Sequence, residues 1–187
     1  MKQVTFITGN QNKADYLAEC LGFELSHTKI DLDEIQSLDL ATVVTHKAMQ
    51  AYEMLGTPVL VEDVSLEFCA LGRLPGTFIK WYIEELGLNR LAELVASDNR
   101  LAVARGMFGY YDGQQLKLMA GELRGSIADS PRGTNGFGWD ALFVPAGQSL
   151  TRAEMDSSAD IITYKTIKPI DELRSFLEDD KLEMEQL

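Results

Sequence analysis

The sequence predicts an α/β fold built on a mixed β-sheet, and two changes of pattern carry that prediction. Short β-branched and aromatic runs alternate with helix-period segments through the first half of the chain. Near residues 100–127 the pattern becomes two long runs flanking Asp112-Gly113, the turn signal of an antiparallel hairpin. Strands joined through helices, followed by a hairpin, call for a mixed sheet rather than a purely parallel one. At 187 residues the chain can bury a substantial core as one domain, and two independent domains would be cramped.

Val4-Thr5-Phe6-Ile7 reads as the first strand. After the turn Thr8-Gly9-Asn10, the residues Ala14, Leu17, Ala18 and Leu21 recur at helical spacing up to Gly22. A second strand is expected over residues 25–30 and a helix over 39–55, ending at Gly56. Pro58-Val59-Leu60-Val61 reads as a buried strand that delivers Glu62-Asp63 to the rim of the sheet. A loop over residues 72–76 introduces one helix from Phe78 to Leu86 and another over 89–95. Residues 100–111 and 115–127 are the hairpin arms, and 130–140 is a polar, glycine-rich loop. From Asp171 an acidic helix becomes almost wholly polar by Glu183, so its last residues are expected to fray. There is no internal repeat or low-complexity linker, which fits a single domain over residues 1–187.

Composition narrows the function. With 45% hydrophobic and 25% charged residues the chain is an ordinary globular protein. It contains no apolar run long enough to span a bilayer, so no membrane partner is expected. Cys20 and Cys69 form no disulfide framework, and a reducing cytoplasm is the expected compartment. A net charge of -12 argues against binding nucleic acid polymers. A polyphosphate ligand would therefore need focused help, from particular lysines and a divalent metal.

Several groups could supply that help. Thr8, Gly9 and Asn10, before a helix that carries Lys13 in its first turn, suit either an anion site or a plain Asn-capped turn with a solvated lysine. The spacing is not that of a P-loop. Glu62-Asp63 and the acidic stretch 31–34 are either solvated loops or two rims that face one side. In the second case Glu34 and Asp63 could share Mg²⁺. Lys47 and Lys80 could reach phosphate or snorkel from the core. Phe137, Gly138, Trp139 and Asp140 could stack on and hydrogen-bond a base, or pack in the core. His27 and His46 lack a nucleophile partner or metal-ligand spacing.

Taken together, the segments at 8–13, 29–34, 58–63, 70–76, 78–81 and 137–140 resemble, in order, the motifs of the inosine triphosphate pyrophosphatase family, which removes non-standard purine nucleotides such as ITP, dITP and XTP. The resemblance implies a two-lobed α/β unit with an elongated mixed sheet flanked by helices, a central substrate cleft and a homodimer. It also implies Mg²⁺, with Mn²⁺ as a substitute, and water attack at the α-phosphorus to give the monophosphate and pyrophosphate. By the same resemblance Thr8, Gly9, Asn10 and Lys13 hold the triphosphate and Glu34 and Asp63 engage the metal. Asp63 activates the water, Lys47 and Lys80 contact phosphate or substrate, and residues 137–140 form the base side.

One segment departs from the family. Ala153-Glu154-Met155 is present, but Thr163-Tyr164-Lys165 stands where the family has Ser-His-Arg, and the lysine just upstream is missing. Tyr164 and Lys165 can still donate to a keto oxygen, without the bidentate fork of arginine. This leaves two alternatives beside the family activity: a pyrophosphatase with changed base preference, or a nucleotide-binding module with weak catalysis.

Overall fold

The run after residue 4 forms β1 (Thr5–Ile7), and Asn10 turns the chain into α1 (Gln11–Leu21) by accepting a hydrogen bond from Lys13 N at 3.2 Å. The computed structural model describes residues 1–95 and 97–179. Gly22 ends α1 at φ 78°, a left-handed conformation that suits glycine. Next come β2 (Ser26–Thr28), shorter than expected, and α2 (Leu40–Leu55), which Asp39 caps at Ala41 N.

The third strand corrects the sequence reading. β3 (Val59–Phe68) runs 10 residues instead of stopping at Val61, so Glu62 and Asp63 lie inside a strand and not at its rim. The two carboxylates break the apolar run, yet Ser65, Leu66, Glu67 and Phe68 beyond them are buried. Burial of Glu67 is compensated by Arg73 and Arg105, whose Nε atoms lie 3.4 and 3.5 Å from Oε1.

β4 (Pro75–Gly76) leads into α3 (Ile79–Glu93), which breaks at Gly87 (φ 71°, ψ 164°), in keeping with the expected pair of helices. The hairpin is β5 (Leu101–Tyr111) and β6 (Leu116–Ile127), closed by Asp112, whose Oδ1 accepts from Gln114 N and Gln115 N. β7 (Phe143–Pro145), α4 (Ser157–Ile167) and α5 (Ile170–Glu178) complete the described strands and α-helices. Neither β7 nor α4 is legible in the sequence. The last part of the acidic tail, with Glu183, lies outside the described residues.

The seven strands make one mixed sheet, in the order β2-β1-β3-β5-β6-β7 with β4 also paired to β3. β1 runs parallel to β2 and β3, and the other pairings are antiparallel. On one face, Leu60, Phe108 and Met119 pack with α1, α4 and α5, while further along the strands Leu66, Phe68, Ala104 and Ile127 form a second cluster with α3 and Phe143. The opposite face packs Val59 and Val61 against α2. Between the first two clusters lies a seam where the β5 and β6 positions are the glycines Gly106 and Gly121, while β3 carries Glu62 and the half-buried Val64, which pairs with Gly106.

Candidate active site

β3 is flanked by β1 only as far as Leu60 and by β4 only from Leu66. Among the described residues, 61–65 therefore have a strand neighbour only on the β5 side. This open edge explains how Glu62 and Asp63, successive residues with side chains on opposite faces, both line one cleft. The cleft has a volume of about 410 Å³, and its walls come from α3, the 137–140 loop and the end of α4.

Asp63 is fixed at both oxygens. Oδ1 accepts from Val64 N at 2.8 Å, and Oδ2 takes Lys47 Nζ from α2 at 2.6 Å. Lys47 also faces Glu34 Oε1 at 3.8 Å, and Lys80 Nζ lies 3.7 Å from that same oxygen. Glu34 and Asp63 thus converge on one cation. Lys13 Nζ is 4.0 Å from Glu62 Oε1 and 5.9 Å from the Phe137 ring centre, so it is not simply solvated. Asn10 caps its helix, Thr8 Oγ1 accepts from Asn10 N at 3.1 Å, and Thr8 and Gly9 line a smaller hollow beside Glu34 and Lys47. Lys29 lies directly over Gly9, where a Cβ would stand 2.9 Å from its stem.

Two further features hold the cleft in shape. Lys168 Nζ lies 2.6 Å from Glu62 Oε1, an ion pair made without a well-directed hydrogen bond at that oxygen. Burial would raise the Glu62 carboxyl, but the charges of Lys168 and then Lys13 outweigh it and hold the group below its ordinary value. Burial pushes the Lys168 ammonium down, and Glu62 partly opposes this.

At the other end, Arg152 binds Asp140 at 2.5 Å, Asp160 at 2.7 Å and Thr163 Oγ1 at 2.9 Å, with its guanidinium 5.8 Å from the Trp139 ring centre. Burial raises the Asp140 carboxyl despite Arg152. Tyr164 packs edge-on against Tyr16 with ring centres 4.6 Å apart. Burial, reinforced by Glu62, pushes its phenol far above the ordinary range and keeps it neutral.

A model of the Ham1 family matches residues 4–161. The chain belongs to the Ham1 family. It is 37% identical to an inosine triphosphate pyrophosphatase of Scheffersomyces stipitis over 95% of this chain and 98% of that one. Identity rises to 43% with an inosine triphosphate pyrophosphatase of Batrachochytrium dendrobatidis, over 83% and 84% of the two chains. A HAM1 protein structure from Coxiella burnetii superposes with a TM-score of 0.80 at 23% identity, covering 95% of this chain and 98% of that one, and so shares the fold.

In this Ham1-family chain the cleft gathers Lys13, Glu34, Lys47, Asp63, Lys80, Phe137, Gly138, Trp139, Asp140 and Tyr164 of the residues singled out in the sequence. Thr8, Gly9 and Asn10 border adjoining hollows. Lys165 does not line the cleft; it is half-buried near α1, close enough to act electrostatically on Cys20. Its place one residue after Tyr164 on α4 rotates it off the cleft-facing side. Arg152 and Lys168 were missed. An arginine between Thr151 and Ala153 and a lysine just before Pro169 look in sequence like a surface charge and a helix-stop residue.

Proposed function

We propose that this chain is a Mg²⁺-dependent nucleoside triphosphate pyrophosphatase that converts non-standard purine nucleotides, ITP, dITP and XTP, to the monophosphate and pyrophosphate, and so cleanses the nucleotide pool. The observation that carries the reading is the Lys47 ammonium held between Asp63 and Glu34, with Lys13 and Lys80 in the same cleft. In an acidic chain this is the concentrated set of cations and carboxylates that a triphosphate needs. The names of the Scheffersomyces and Batrachochytrium relatives support inosine triphosphate as substrate.

Lys13, Lys47 and Lys80, with Thr8, Gly9 and Asn10, bind the triphosphate. Asp63 takes a proton from the attacking water, and Asp63 and Glu34 would hold the metal. No cluster of three or more acidic, His or Cys ligands occurs among the described residues. Two carboxylates nonetheless fit Mg²⁺, or Mn²⁺ in its place, because such ions retain water and take phosphate oxygens as ligands. The metal would supply Lewis-acid polarisation of a phosphoryl oxygen and acidify the attacking water. Phe137, Gly138, Trp139 and Asp140 form the base side.

A changed base preference has its own support. Thr163 is engaged by Arg152, Tyr164 is packed on Tyr16 and Lys165 faces away, so the donors at the base end differ from those that the sequence position suggested. The reading includes a homodimer in the cytoplasm; among the described residues no helix is long and apolar enough to cross a membrane.

Pyrophosphate release measured across ITP, dITP, XTP, ATP, GTP and modified pyrimidine triphosphates, with Mg²⁺, Mn²⁺ or a chelator, tests the reading. Turnover of ITP or XTP that stops with the chelator supports it. Tight nucleotide binding without turnover on any substrate would leave a binding module instead. Sedimentation reads the dimer separately.

A further inference from the structure

The seam between the two apolar clusters is where α4 ends. Gly106 and Gly121 are cross-strand partners. A Cβ on Gly106 would stand 2.8 Å from Ile167 O and 3.0 Å from Lys168 Cγ, and one on Gly121 would stand 2.6 Å from both Ile167 O and Thr166 O. The pair is therefore a notch that brings the last turn of α4 into backbone contact with the sheet. From the notch Lys168 runs along the seam to Glu62, and the two side chains are only 5% and 4% exposed. Lys13 approaches the same Glu62 oxygen at 4.0 Å, and Tyr164 OH lies 3.5 Å from Lys168 Nζ.

Stability does not explain such a pair, since well-packed apolar residues of similar volume often serve a core as well or better. Its position does suggest a use. Glu62 lies between a buried cation fixed to the scaffold and a half-exposed one that faces the cleft. We propose that Lys168 is a positioning residue: it locks the Glu62 carboxylate in the seam, and Glu62 in turn orients Lys13 toward a phosphate chain. This inference rests on the triphosphate reading of the cleft.

The test is a double-mutant cycle of Lys168→Met, Glu62→Gln and the combined variant, with kcat and KM for ITP, ITP affinity by calorimetry, and folding by circular dichroism. Lys168→Met is expected to raise KM about tenfold with a smaller fall in kcat, as loss of an oriented phosphate contact should. The combined variant should be no worse than Glu62→Gln, because Lys168 acts through Glu62. A folded Lys168→Met with unchanged KM and affinity overturns the proposal. So does an unaffected Glu62→Gln, or losses that multiply in the combined variant. If Lys168→Met does not fold, the combined variant, which leaves no unpaired buried charge, is compared with Glu62→Gln on the same criterion. A wild-type protein that binds ITP without turnover would sink the pyrophosphatase reading alone, and the cycle would then be decided on affinity.

Discussion

Lys47 and Asp63 meet at 2.6 Å across the gap between α2 and β3, and the backbone N–H of Val64 holds the other Asp63 oxygen at 2.8 Å. The carboxylate is thereby fixed before any substrate arrives, in the orientation that two elements impose. Preorganisation of this kind lowers the cost of aligning a base with its water. It also places the Lys47 ammonium between the two carboxylates, Asp63 and Glu34, that are the proposed metal ligands.

Asp63→Asn keeps the shape and the Val64 contact but removes the proposed proton acceptor and the Lys47 ion pair. Pyrophosphate release from ITP should fall by roughly 10²–10⁴-fold, the range for loss of a general base. Circular dichroism and thermal midpoint should stay close to wild type. Retained turnover would take Asp63 out of the chemistry.

Arg152→Met leaves Asp140 and Asp160 without their shared cation, and Asp140 is buried. Breaking one side of a buried pair costs about 3–5 kcal/mol. Urea unfolding should show the drop as a lower midpoint at constant slope, and an unshifted midpoint would mean that the network carries no net stability.

Gly121→Ala drives a methyl into the carbonyls of Thr166 and Ile167. Overpacking of this kind costs about 1–3 kcal/mol. Because the obstacle is backbone, the relief must come from α4 lifting off the sheet. ITP affinity should fall along with stability, and calorimetry on the folded variant would expose the error if affinity held.

Asp112→Ala removes two backbone acceptor bonds from the hairpin turn and should cost roughly 1 kcal/mol. The same group gives a pH signature. Partial burial works to raise the Asp112 carboxyl, but hydrogen bonds from Gln115 and Gln114 outweigh it and the folded value is lowered. Its contribution is fully present above the ordinary aspartate range and is lost as pH falls through the lower folded value. Wild type and Asp112→Ala should therefore converge in stability on acidification. Parallel acid limbs would contradict this.

The start of the chain was legible because its signals are local. Asn10 and Asp39 cap helices, Gly22 and Gly56 end them, and Asp112-Gly113 turns the hairpin, each through contacts within a few residues. The lysine side of the cleft was partly legible for a related reason, since Lys13 falls in the first turn of α1 and Lys47 within the expected helix α2. β3 was cut short because Glu62 and Asp63 looked like a rim, and only the open edge between β1 and β4 shows why a strand carries them in its middle. α4 was missed because its apolar residues do not keep to one face, with Ile162 67% exposed beside the half-buried Ile161. Arg152 depends on Asp140 in the 137–140 loop and on Asp160 and Thr163 of α4, and Lys168 on Glu62 far back in the chain, reached beside a pair of glycines that no local rule would select.

The neighbouring carboxylates of β3 impose a rule on chain length as well as on residue identity. Glu62 faces Lys168 and Asp63 faces Lys47 because adjacent strand residues point to opposite sides of the sheet. Gaining or losing a single residue between Val59 and Glu62 would slip the ladder with β5 and exchange the two carboxylates, sending each toward the other's lysine. Many point replacements in this strand would leave that arrangement readable; an insertion or deletion of one codon would not. Among homologous chains the strand should therefore vary in letters far more freely than in count.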